Sequence, residues 1–174
     1  MRQISFQNDI LPLKNELFRL ALRITLNRAE AEDIVQDTML KVWNRRNDWA
    51  QIESIEAFCL TICRNLALDR MKRMDNQAET LEDHQDTADY SYAANPEEQT
   101  VQRDRIQLVR RLLDQLPEKQ RCCMQLRDFE GKSYRDIAVV MGITEQQVKV
   151  NIFRARQAVK KELLTQENFV GQKK

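Results

Sequence analysis

Apolar residues fall at helical spacing in one segment of the chain after another. From Ile10 the positions Ile10, Leu13, Leu17, Leu20, Ala21 and Ile24 mark one face of a first helix. A second is expected over about residues 29–46, with Ala31, Val35, Met39, Val42 and Trp43 turned inward. The polar stretch "NRRNDWAQIES" at 44–54 separates it from a third. That helix opens near Ser54, packs Ile55, Phe58, Cys59, Ile62 and Leu66, and ends in the basic "RMKR" of 70–73. Further on, Ile106, Val109, Leu112, Leu113 and Leu116 define a fourth helix. Pro117 opens a fifth, which runs through Phe129 and is closed by Gly131.

Cap signals sharpen the remaining boundaries. Asn95, Pro96 and Glu98 form a capping box with proline at the first helical position, where a missing N–H costs nothing. Ser133 with Asp136 and Thr144 with Gln147 start two more helices. Strand-like alternation is hard to find, and only three glycines and three prolines occur. The expectation is an all-α protein made of two small helical domains, 1–74 and 96–168. A flexible acidic linker over 75–95 joins them, and 169–174 form a tail.

Between the last two boxes stand Ile137, Ala138, Met141 and Gly142. A short turn with glycine between two helices is how a helix-turn-helix is built. Ala138 allows close helix approach, and Gly142 can take the left-handed conformation. In the helix after it, Val148, Ile152, Ala155 and Val159 share an inner face. Gln146, Gln147, Lys149, Asn151, Arg154, Arg156 and Lys160 are left outside. Arg and Lys donate to guanine and Gln or Asn pair with adenine, so this segment is expected to read DNA. A hairpin whose basic face is merely solvated is the plainer reading.

The net charge of +1 hides a segregation. Residues 75–100 hold eight acids and no Lys or Arg, while 1–74 stand at +2 and 101–174 at +7. In the first domain Asp33, Gln36, Asp37 and Leu40 share one face of the second helix. Such a stripe is either solvated or a docking site for a basic partner. Arg64, Asn65, Asp69, Arg70, Lys72 and Arg73 crowd the end of the third helix, as favourable terminal charge or as a phosphate-binding patch.

Catalytic chemistry has no residues to rest on. His84 is the sole histidine, Cys122 and Cys123 are adjacent, and Cys59 and Cys63 lie one helical turn apart. The four cysteines are expected to be reduced structural thiols, with no metal, no cofactor and no enzymatic activity. The first residues lack the apolar core of a signal peptide, and no stretch approaches a membrane span. Neither membrane insertion nor export is expected, which places the chain in the cytoplasm.

Taken together, these segments resemble the extracytoplasmic-function class, group IV, of bacterial sigma-70 RNA polymerase sigma factors. "AEDIVQDTMLKVW" (31–43) is similar to the region-two helix that docks on the polymerase clamp, and "FCLTICRNLALDRMKR" (58–73) to the segment that melts and reads the minus-ten element. The stretch 116–163, from "LPEKQRCCM" to "VKKEL", is similar to region four, which reads the minus-thirty-five element. The acidic 75–95 stands where the family has its interdomain linker.

The resemblance implies roles by position. Asp33, Gln36, Asp37 and Leu40 would bind core RNA polymerase, whose beta-prime clamp and beta flap are the expected partners. Asn47, Asp48 and Trp49 would lie where a flipped base is captured, flanked by Arg64, Asn65, Asp69, Arg70, Lys72 and Arg73. Lys149, Val150, Phe153 and Arg154 match the major-groove contacts, with Gln146, Gln147, Asn151 and Arg156 beside them. Promoter DNA and an anti-sigma factor complete the implied partners. Cys59 departs from a tryptophan common in the family, and Val150–Asn151 from a common Ser-Arg pair. A stand-alone helix-turn-helix regulator is the rival reading, and a basic protein-interaction scaffold a third; a regulator gives no reason for the acidic stripe in "DIVQDTMLKVW".

Overall fold

The structure, a computed structural model, describes residues 2–78 and 101–171, and every element in them is helical. Most of the tether, His84 and the capping box at Asn95, Pro96 and Glu98 lie outside the described residues, as do 172–174. The chain enters through a π-helical turn, Phe6–Ile10, and a 3-10 turn, Leu11–Leu13. Helices α1 (Lys14–Thr25), α2 (Arg28–Asn44) and α3 (Ile55–Ala78) follow, with a 3-10 turn at Arg46–Gln51 between α2 and α3. The second half is α4 (Val101–Asp114), α5 (Glu118–Met124) with a π-helical turn Gln125–Phe129, α6 (Tyr134–Met141) and α7 (Glu145–Gly171).

Local chemistry explains the joints of the first domain. Leu26 takes the left-handed conformation, φ 56°, to end α1, and the Asn27 side chain then caps α2 by accepting from the Glu30 N–H. The three helices pack as a bundle around Leu17, Leu20, Ile24, Ile34 and Leu60, all fully buried. Burying each such side chain stabilises by roughly 1.5–3 kcal/mol.

Three expectations are corrected. Trp43 is 44% exposed, because Val42 beside it is fully buried and successive residues on a helix point about 100° apart. Ile106 is exposed as well, since α4 packs chiefly on α7 and only a narrow stripe is covered, centred on Leu112 and Leu113. The third helix runs on to Ala78, past the boundary expected at 74. Residues 74–78 hold no glycine or proline to stop it, and the basic run was no terminus.

The two domains share an apolar core, and a second cluster around Leu112, Leu113 and Ala155 lies within the second domain alone. Cys59, Cys63 and Ala67 of α3 belong to the same buried cluster as Cys122, Cys123, Leu126, Ile137 and Val140. Around it runs a ring of ion pairs. Arg23 Nη1 reaches Asp114 Oδ1 at 2.7 Å, the two side chains 5% and 9% exposed, and Arg23 Nε donates to Gln125 at 2.9 Å. Arg19 grips Glu130 with two bonds of 2.6 and 2.7 Å, and Arg64 grips Glu118 with two of 3.1 Å. In the opposite sense Lys132 bridges Glu16 and Glu56, and Arg135 meets Glu53 at 2.6 Å. Burial pushes the Asp114 carboxyl above its ordinary range, with Arg23 pulling the other way. Burial likewise holds the Cys59 and Cys63 thiols up at about 12 and Cys123 at about 11. They are inert packing groups.

Candidate nucleic-acid interfaces

The expected helix-turn-helix is formed by α6 and α7. Ser133 Oγ accepts from the Asp136 N–H at 3.1 Å and starts α6. Gly142 ends it at φ 65°, and the Ile143 N–H returns to the Ala138 carbonyl at 3.1 Å. A reciprocal cap starts α7: the Gln147 N–H donates to Thr144 Oγ1 at 3.1 Å, and the Thr144 N–H to Gln147 Oε1 at 3.0 Å. Val148, Ile152, Ala155 and Val159 are buried, as their spacing requires.

The outward side chains of α7 differ in the partners they already have. Gln146, Lys149, Val150, Phe153 and Arg154 are exposed, Phe153 by 63%. Gln147 uses its side-chain oxygen in the cap, and Asn151 donates to the Gln147 carbonyl at 2.8 Å. Arg156, also exposed, pairs with Asp128 at 2.9 and 2.5 Å, which favours its charged form. The Lys149 ammonium lies 5.5 Å from the centroid of the Tyr134 ring, which also carries the Arg127 guanidinium at 4.2 Å. Gln146, Val150, Phe153 and Arg154 share the outer side of α7, with Lys149 beside them.

In the first domain the expected strand-binding residues divide. Asn47 and Asp48 stand exposed on the 3-10 turn, but Trp49 is 8% exposed and donates its indole N–H to the Val42 carbonyl at 3.0 Å. Trp49 is a packing residue that pins the turn to α2. The aromatic beside the turn that does face outward is Trp43, which the sequence pattern had put in the core. It meets the edges of Phe6 and Trp49 at centroid distances of 5.5 and 6.1 Å, and the Arg46 guanidinium sits 4.8 Å from its ring. These side chains and Asn47 line an open cavity of about 830 Å³. Asn65 and Asp69 come together with Asn44 and Arg45 around a second cavity of about 390 Å³.

Two arginines expected at DNA are committed to carboxylates. Arg64 is buried against Glu118. Arg70 binds Glu30, Asp37 at 3.3 Å and Asp33 at 3.8 Å, so it sits among the acids of the stripe on α2. Lys72 and Arg73 are exposed. The stripe itself faces solvent: the Asp33 and Asp37 side chains are 65% and 50% exposed, and Leu40 is 61%. An exposed leucine between unburied carboxylates has no part in the core.

The model for sigma-70 region 2 matches residues 10–77 and that for sigma-70 region 4 matches 106–159. The chain is 32% identical over 164 residues to the RNA polymerase sigma-H factor of Pseudomonas aeruginosa, covering 89% of this chain and 85% of that one. It is 31% identical over 147 residues to the ECF RNA polymerase sigma factor SigL of Mycobacterium tuberculosis, covering 83% and 80%. Among solved structures it resembles the sigma factor RpoE of Bartonella quintana, crystallised with the anti-sigma factor NepR: TM-score 0.73, 25% identity, 91% of this chain and 96% of that one. The two helical domains are those of sigma-70 regions 2 and 4. The chain belongs to the ECF RNA polymerase sigma factors.

Proposed function

We propose that the chain is a group IV sigma factor of the bacterial cytoplasm, a transcription initiation subunit with no catalysis of its own. It binds core RNA polymerase through Asp33, Gln36, Asp37 and Leu40, carries it to promoters, and is restrained by an anti-sigma factor. The observation that carries this reading is the pairing, on one chain, of an exposed reading face on α7 with an exposed acidic stripe around Leu40 on α2. A stand-alone regulator needs the first and not the second. Support also comes from the relatives, whose names are those of polymerase sigma factors, and from the Bartonella neighbour, seated on an anti-sigma factor. On this reading Asn47, Asp48, Asn65, Asp69, Lys72 and Arg73, on the exposed side of α3 and its preceding turn, would meet the minus-ten strand.

Size-exclusion chromatography with core polymerase tests it. The expected result is stoichiometric co-elution and weak binding to DNA by the chain alone; tight DNA binding without any polymerase association contradicts the reading. Within the complex, Arg154→Ala should cost ~1–3 kcal/mol and relax preference at one base position. A uniform loss across sequences, read by competition with randomised duplexes, would make Arg154 a phosphate contact instead.

A further inference from the structure

The outward line of α7 is partly apolar. Val148, Ile152, Ala155 and Val159 are buried on the inner side of the helix. At about 100° per residue, Val150 stands almost opposite them, one turn on from Gln146, with Phe153 beside it. Val150 is 36% exposed and Phe153 63%, and neither belongs to the apolar clusters beneath. Exposed apolar residues standing singly are ordinary. These two are neighbours, and they share their side of the helix with cations.

Lys149, Arg154, Arg156, Lys160 and Lys161 are all exposed on α7. Such a border suits the phosphates that flank a groove, whereas the centre of a protein interface is depleted in charge and in lysine. The polar groups next to Val150 already have partners. Asn151 Nδ2 donates to the Gln147 carbonyl at 2.8 Å, and Gln147 Oε1 accepts from the Thr144 N–H at 3.0 Å. The Lys149 ammonium lies 5.5 Å from the Tyr134 ring centroid. At Val150 and Phe153 the helix therefore presents a hydrocarbon edge. Pressed onto donors and acceptors of a base, such an edge displaces their water and returns no hydrogen bond. The apolar group that the major groove presents is the C5 methyl of thymine. Val150 and Phe153 are three residues apart, roughly 4.5 Å along the helix axis. Neighbouring bases of one strand are about 3.4 Å apart, so two adjacent thymines fit that spacing.

We propose that Val150 and Phe153 form an apolar reading edge that selects two adjacent thymines of the upstream element by their methyl groups. Gln146 and Arg154, exposed on either side, are left to the polar edges of the flanking pairs. The inference rests on the DNA-reading function proposed above and adds to it the base that is read.

Promoters carrying deoxyuridine, which differs from thymidine by that methyl alone, test it. Core polymerase with the full chain first selects functional upstream blocks from a randomised duplex pool. Each thymine of a selected block, on either strand, is then replaced singly by deoxyuridine, and open-complex formation is measured in competition with the parent duplex. Two neighbouring replacements should each weaken binding about fourfold, the factor that one buried methyl supplies, and replacements elsewhere should stay under about twofold. This arm uses the unaltered chain and needs no variant to fold. Val150→Ser should remove the sensitivity at one of the two positions and Phe153→Ala at the other, with the helical content of the parent kept in circular dichroism. Selected blocks without adjacent thymines, or indifference to deoxyuridine, overturn the methyl reading while promoter selection itself stands. Sensitivity that survives both substitutions assigns the methyls to other residues and overturns the role of Val150 and Phe153. A pool from which nothing is selected overturns the function and this inference together.

Discussion

Reversing both carboxylates of the α2 stripe, Asp33→Lys with Asp37→Lys, is expected to abolish co-elution with core RNA polymerase and leave the fold intact. Both side chains are at least half exposed, and neither supports the core beneath them. Their intramolecular partner is Arg70, which also holds Glu30. Losing surface pairs of this kind costs about 0–1 kcal/mol, so melting should shift little. Docking is another matter. Placing two like charges against a basic partner surface costs several kcal/mol, enough to turn a stable complex into none. Circular dichroism and chromatography with core polymerase separate the two effects. Unchanged co-elution would remove the stripe from the interface.

Arg23→Ala carries the largest expected effect on stability. Arg23 is nearly enclosed between Asp114 and Gln125, and its removal strands a buried carboxylate whose second oxygen already lacks a partner. Breaking such a pair from one side costs about 3–5 kcal/mol. Because the pair joins the domains, the loss should fall on their association rather than on either bundle. The parent should melt in one cooperative transition and the variant in two, each domain unfolding at its own temperature. A single transition lowered by less than a degree would show that the ion pair contributes nothing to closure.

Much of the fold was legible in residue spacing. The stripe from Leu17 to Ile24 and the inner face from Val148 to Val159 are buried as their period requires, and the caps at Ser133 and Thr144 form with the partners their spacing named. Trp43, expected inside, is exposed, and Trp49, in a stretch expected to be a polar connection, is buried. Periodicity fixes a helix face to within a residue or so, and an indole N–H seeking the Val42 carbonyl is a tertiary matter. Arg64, Arg70 and Arg156 show a second limit. Spacing shows where cations crowd a helix, but Glu118, Glu30 and Asp128, which pair with them, come from other elements. The closed arrangement itself had no sequence signal, since complementary charges 54 and 91 residues apart look like any others until the chain is folded.

The central claim is that this chain gives polymerase its choice of promoter. It is tested most directly by transcribing genomic DNA of the source bacterium with core polymerase, with and without the chain, and mapping the transcript starts. The expected result is a new set of starts, each preceded by two shared sequence blocks about 25 base pairs apart, the upstream block changing its preference when Arg154 is replaced. Identical starts with core polymerase alone would contradict the claim.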